Sequence, residues 1–132
     1  MKIWIAIILF SLSLIKADAF TFDQASPIRQ GVHVEWYRTV APSLDGSAIF
    51  VWSDTRYGVR NVFAHKIDKN GNFTWGDNGA VITNLPGRQE DPVAIEDGNG
   101  GAFIAWVDYR FDDSGDIFIQ HVNESGAIQM DP

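Results

Sequence analysis

Apolar residues in the C-terminal two thirds of the chain come in runs of four or five, broken by Gly, Asn, Asp or Pro. AIFVW (48–52), NVFAHKI (61–67), AFIAWV (102–107) and DIFIQHV (116–122) are the clearest. Runs of this length, rich in Val, Ile and Phe, predict strands rather than helices, because helical spacing of apolar positions is missing. Val93 to Glu96 forms a first strand after a proline, and a DGNGG turn leads into a second, Ala102 to Trp106. Ile117 to Val122 forms a third. In the earlier half of the chain, the turn KNGN (69–72) leads to a fourth strand around Val81 to Thr83.

The runs recur. AIFVWSDTR (48–56) lies over AFIAWVDYR (102–110) at an offset of 54, with Ala, Trp, Asp and Arg in common. NVFAHKI lies over DIFIQHV at an offset of 55, and Gly71 then falls over Gly126. Upstream, Arg38-x-x-x-Pro42 matches Arg88-x-x-x-Pro92 at an offset of 50, and Asp45-Gly46 and Asp97-Gly98 each precede the Trp-bearing strand. An internal repeat of about 54 residues with four short strands has the dimensions of a β-propeller blade. The expected fold is therefore all-β: two four-stranded blade-like units, the second incomplete, belonging to a larger propeller. Residues 38–87 form the first unit and residues 88–132 the second, truncated one.

The string GGAFIAWVDYR…DIFIQHV…G resembles the GG-x-W-x-D-x-R…D-I-F-x-Q repeats of large secreted bacterial β-propeller proteins, over about residues 31 to 132. The resemblance implies an architecture more than an activity. IDKNGNFTW (67–75) only approaches the Asp-box of sialidase-type propellers, because its Asp-to-Gly spacing is one residue too long. No sialidase catalytic residue is therefore transferred.

The N-terminus changes the picture of where the chain works. Lys2 precedes the apolar run Ile3 to Ile15, and Ala17-Asp18-Ala19 offers the small residues that a signal peptidase reads. Residues 1–19 are thus expected to be a signal peptide, and 20–37 an N-terminal segment or outer strand. The run is too short to span a membrane. Lys16 in the cleavage region is unusual, and an uncleaved anchor is the alternative. The destination is secreted, periplasmic or cell-surface, with no membrane attachment after cleavage.

The chain has no cysteine, so its stability must come from core packing or from partners. Its net charge is −7, and removing residues 1–19 takes away two lysines and one aspartate, leaving about −8. That charge argues against nucleic acid and anionic membranes as partners. It suits solubility, cation binding or a sugar ligand.

Alternation along a strand puts Trp106, Asp108 and Arg110 on one face, and Trp52, Asp54 and Arg56 likewise. An Asp–Arg pair beside an indole makes a bidentate brace, and its duplication favours a structural role over a single active site. The competing reading is a ligand site repeated once per unit, with Trp stacking on a sugar ring. Asp112, Asp113 and Asp116 of RFDDSGD could converge on calcium, although the same residues make ordinary turns. Glu90-Asp91 and Glu96-Asp97 read as solvated turn charges. His33, His65 and His121 form no metal pattern. His33 alternates with Glu35, while His65 aligns with Gln120 and His121 with Lys66. No serine has a nucleophile context. Asn72-Phe73-Thr74 and Asn123-Glu124-Ser125 fit the glycosylation sequon, which matters only in a eukaryotic source.

Two blades cannot close a propeller, and the second unit stops at GAIQMDP where the first continues through Trp75 to Ile82. The expected partners are therefore the missing blades of a longer chain, or identical subunits. In the second case Ala25 to Val32 would complete a neighbour's blade, as in small oligomeric lectins. Three functions remain in order: a structural or interaction module without enzymatic activity, a carbohydrate-binding lectin that oligomerises, and the N-terminal part of a glycan hydrolase. A hydrolase needs a facing carboxylate pair that nothing in the sequence identifies. No cofactor other than calcium is expected.

Overall fold

The computed structural model describes residues 27–28 and 35–131. Residues 1–19, expected to be a signal peptide, His33, and most of the Ala25–Val32 segment lie outside the described residues. Among the described residues there are seven strands and no helix. β1 (Glu35–Pro42), β2 (Ala48–Tyr57), β3 (Val59–Ile67) and β4 (Ala80–Val81) form one antiparallel sheet in the order β1-β2-β3-β4. β5 (Gln89–Glu96), β6 (Ala102–Asp108) and β7 (Asp116–Val122) form a second in the order β5-β6-β7. Neither sheet closes on itself.

The registers repeat as the sequence does. Trp52 lies opposite Phe63, and Trp106 opposite Phe118. The upstream match differs from expectation. Gln89 pairs with Asp108 as Glu35 pairs with Asp54, so β1 and β5 are also related by 54, and Pro42 is equivalent to Glu96 rather than to Pro92. Register follows the ladder and its bulge rather than the prolines. Both strands bulge at the same place, between Trp36 and Thr39 and between Glu90 and Val93. Tyr37 (φ 46°) and Asp91 (φ 50°) take the matching left-handed conformation there.

Pro92 is accommodated in that bulge, so β5 starts at Gln89 rather than at Val93. The turns realign too. Ser43 N donates to Ser47 O (2.9 Å) and Asp97 N to Gly101 O (3.1 Å), which superposes Gly46 on Gly100 and not on Gly98. The fourth strand is shorter than expected, although Ile82 and Thr83 still donate to Val62 O at 2.9 and 3.2 Å.

The two sheets stack face to face. Ile49, Val51, Val62 and Ala64 of the first sheet share one face and pack on Ala102, Ile104, Trp106 and Val122 of the second. Polar contacts pin the same joint. Ser53 Oγ donates to Gln89 O (3.0 Å), Lys66 Nζ to Gly100 O (2.8 Å) and Ser43 Oγ to Glu96 Oε1 (2.9 Å). The Arg60 guanidinium pairs with Glu90.

At the far end, Trp75 leaves its own unit. Its Nε1 donates to Glu124 O (2.8 Å), and its ring lies so close to Gly126 that a Cβ there would come within 2.8 Å of it. Gly126 also sits at φ 84°, so glycine is needed twice over. Trp75→Ala is expected to cost about 3–5 kcal/mol, the range for emptying a buried indole site. Gly126→Ala should also destabilise. Urea denaturation followed by far-UV circular dichroism measures both.

Candidate functional site

Among the described residues, the two W-x-D-x-R motifs that begin in β2 and β6 carry the densest side-chain hydrogen bonding. A strand end leaves an aspartate facing the same way as the tryptophan two residues earlier, and the chain after it curls back. In the first unit Trp52 Nε1 donates to Asp54 Oδ2 (2.9 Å). Arg56 brings its backbone N to Oδ1 (3.0 Å), its Nε to both oxygens (3.0 and 2.9 Å) and its Nη2 to Oδ2 (2.5 Å). The second unit repeats this: Trp106 Nε1 to Asp108 Oδ2 (3.0 Å), Arg110 N to Oδ1 (2.9 Å) and Arg110 Nη2 to Oδ2 (2.6 Å). Each guanidinium also lies over the Phe opposite the Trp, at 3.7 Å from the Phe63 centroid and 4.2 Å from that of Phe118.

Both carboxylates are buried, Asp54 at 0% and Asp108 at 1% exposure. Burial alone would raise their pKa values. The hydrogen bonds from Arg56 and Trp52, and from Arg110 and Trp106, outweigh it and hold both carboxyls below the ordinary 3.8. The tryptophans are buried as well, so neither ring presents a face on which a sugar could stack.

Gln89, unnoticed in the sequence, belongs to this site. It is fully buried and reaches the carbonyls of Pro86 and Gly87 (both 3.3 Å) and Asp108 Oδ1 (3.5 Å), tying the approach to β5 to the brace. Nothing distinguishes a buried glutamine from a surface one in a sequence of this kind. Its pairing with Asp108 depends on the bulged register.

The aspartates of RFDDSGD do not come together. Asp112 caps the turn through Ser114 N (2.7 Å), Asp113 points to Arg88 Nη1 (3.7 Å), and Asp116 starts β7 opposite Asp108. No group of three metal-ligating side chains occurs among the described residues.

The charges read as solvated turns are partly structural instead. Glu90 is buried between Arg60 and Arg88, and Glu96 accepts from Gly98 N (2.9 Å) as well as from Ser43. Asp97 Oδ2 meets His121 Nε2 at 2.7 Å, and the imidazole stacks on Phe103 at 4.5 Å. Between the two units lies a polar hollow of about 330 Å³, lined by Asp45, Lys66, Asp68, Thr74 and Glu124 among others.

The alignment of His65 with Gln120 has structural content. Gln120 clamps the segment after its turn, with Nε2 donating to Met130 O and Oε1 accepting from Met130 N, both at 2.9 Å. His65 is buried at the matching place, and that burial pushes its pKa below 6.5.

Comparison with known protein families, curated proteins and solved structures finds no match.

The shifts define a pH response. His65 has a folded pKa below its unfolded value, so the unfolded chain takes up its proton first. Stability is full above about pH 6.5 and declines below it. Asp54 and Asp108 also have depressed folded values. Their contribution is present above about pH 3.8 and is lost as pH falls through their folded pKa values. Thermal melts from pH 8 to pH 3 should therefore show two declines. His65→Gln, which installs the residue of the second unit, should abolish the upper one and leave the lower.

Proposed function

We propose that this chain is a non-enzymatic repeat module of an exported, propeller-like protein, whose units stack face to face to form a structural or interaction scaffold. The observation that carries this reading is the duplicated, buried Trp-Asp-Arg brace. An active site is needed once per molecule, whereas every unit of a stacked array has the same strand end to secure. The two carboxylates are committed to neighbours two residues away on each side, which suits a brace and leaves little to offer a ligand. Export rests on the N-terminal sequence pattern alone, and propeller membership on the repeat length, the strand order and the resemblance.

Carbohydrate binding is the second reading. The polar hollow between the units favours it, since that hollow offers charged and hydroxyl groups at the joint. On this view the sugar would meet Asp45, Lys66 and Glu124 rather than the buried tryptophans.

Asp108→Ala and Trp106→Phe decide between brace and ligand site when each is measured for thermal stability and for retention on a glycan array. The scaffold reading expects both variants to melt earlier, with Asp108→Ala losing about 3–5 kcal/mol because Arg110 is left without its buried partner. It expects no glycan signal from the unmodified chain. A glycan signal from the unmodified chain that Glu124→Gln removes at unchanged stability would replace it with the lectin reading.

A further inference from the structure

The face of the second sheet turned away from the first is open and apolar. Val93 is 61% exposed, Ile95 67%, Ile117 75% and Ile119 54%, with Phe103 beside them. A sheet face made to meet water alternates into polar residues. A contiguous set of β-branched aliphatics and a phenylalanine marks a surface made to be covered.

The chain itself shows what covers such a face. By the register of the two sheets, Val93, Ile95, Ile117 and Ile119 are equivalent to Thr39, Ala41, Val62 and Ala64. Of these, Ala41, Val62 and Ala64 belong to the core formed where the first sheet meets the Trp106 face of the second. The same positions are thus closed in one unit and open in the next. The edge tells the same story. In the first sheet Phe63 and Ala64 of β3 pair with β4, whereas their equivalents in β7, Phe118 and Ile119, have no outer strand among the described residues.

Building on the stacked-unit reading above, we propose that the open face of β5-β6-β7 is the docking surface for a further sheet that carries its own W-x-D-x-R strand. That sheet lays its tryptophan face on Ile95, Phe103 and Ile117 as Trp106 lies against the first sheet. The partner is defined by that chemistry: an apolar strand with an inward Trp, closed at its end by an Asp–Arg brace. A second copy of this chain is the rival occupant. It is disfavoured because Trp52, the ring it would have to present, is already buried.

The test compares the full chain with a version extended by one repeat, in which residues 1–129 are followed by a second copy of residues 75–131. Each is made with Ile117 and with Ile117→Asp. In the existing chain Ile117→Asp should leave Tm within about 1 °C, as surface substitutions do. In the extended chain the same change should lower Tm by about 5 °C or more, because it places a charge in a closed apolar joint.

If the added unit folds, seen as a proportionate gain in β-sheet circular dichroism, and Ile117→Asp is silent in both chains, the docking face is wrongly assigned although units stack. If the added unit stays unfolded, the stacked-unit reading itself fails, and the docking proposal with it. Concentration-dependent dimerisation of the existing chain that Ile117→Asp abolishes, read by light scattering, would assign the face to a second copy and overturn the proposal.

Discussion

A carboxylate without water must be given partners, and that requirement organises each unit. Asp54 and Asp108 close the regular ladders that the central strands β2 and β6 form with β3 and β7. Neither has an exposed surface through which solvent could satisfy it. The cost of burying such a charge is several kcal/mol if it is left unpaired. Trp52 and Trp106 meet part of it with an indole N–H, and Arg56 and Arg110 meet the rest with guanidinium and backbone N–H groups. The choice of Arg over Lys follows. Only a planar fork can grip the carboxylate while lying flat on Phe63 or Phe118. The brace thereby fixes the Trp rotamer, and in the second unit the Trp ring is what the first sheet packs against.

From that fixed ring the joint spreads outward. Aliphatic side chains from both sheets fill the middle, and the polar contacts of Ser53, Lys66, Ser43 and Arg60 ring it. Apolar centre and polar rim is the anatomy of a protein interface rather than of a single-layer core. Trp75 extends the same logic, crossing from one unit to rest on a glycine in the turn of the other. Each unit is held by its neighbour as much as by itself, as in repeat proteins generally.

Much of this was legible in the sequence because it depends on short-range periodicity. The strand runs and the matched W-x-D-x-R ends follow from alternation and from the offset of 54, whereas the Trp–Phe pairs across β2-β3 and β6-β7 emerge only from the strand register. What was misread depends on backbone geometry that residue types do not announce. The ladders and the matching bulges at Tyr37 and Asp91 relate β1 to β5 by 54 throughout, so the R-x-x-x-P match at an offset of 50, though clear to the eye, aligns residues that are not equivalent. Glu90 and Asp97 looked like surface charges because acidic pairs beside turns usually are. Their burial depends on Arg60 arriving from the other sheet and on His121 arriving from β7. Gln89 was invisible for the same reason.

The brace as an interacting unit, rather than as adjacent residues with independent effects, is tested most directly by a double-mutant cycle on Asp108 and Arg110. Asp108→Asn, Arg110→Met and the double variant are measured by urea denaturation at pH 7. If the buried carboxylate is held by the guanidinium, the two single losses will exceed the double loss by about 0.5–3 kcal/mol. Losses that simply add would contradict a brace and reduce the W-x-D-x-R motif to neighbouring side chains without a joint role.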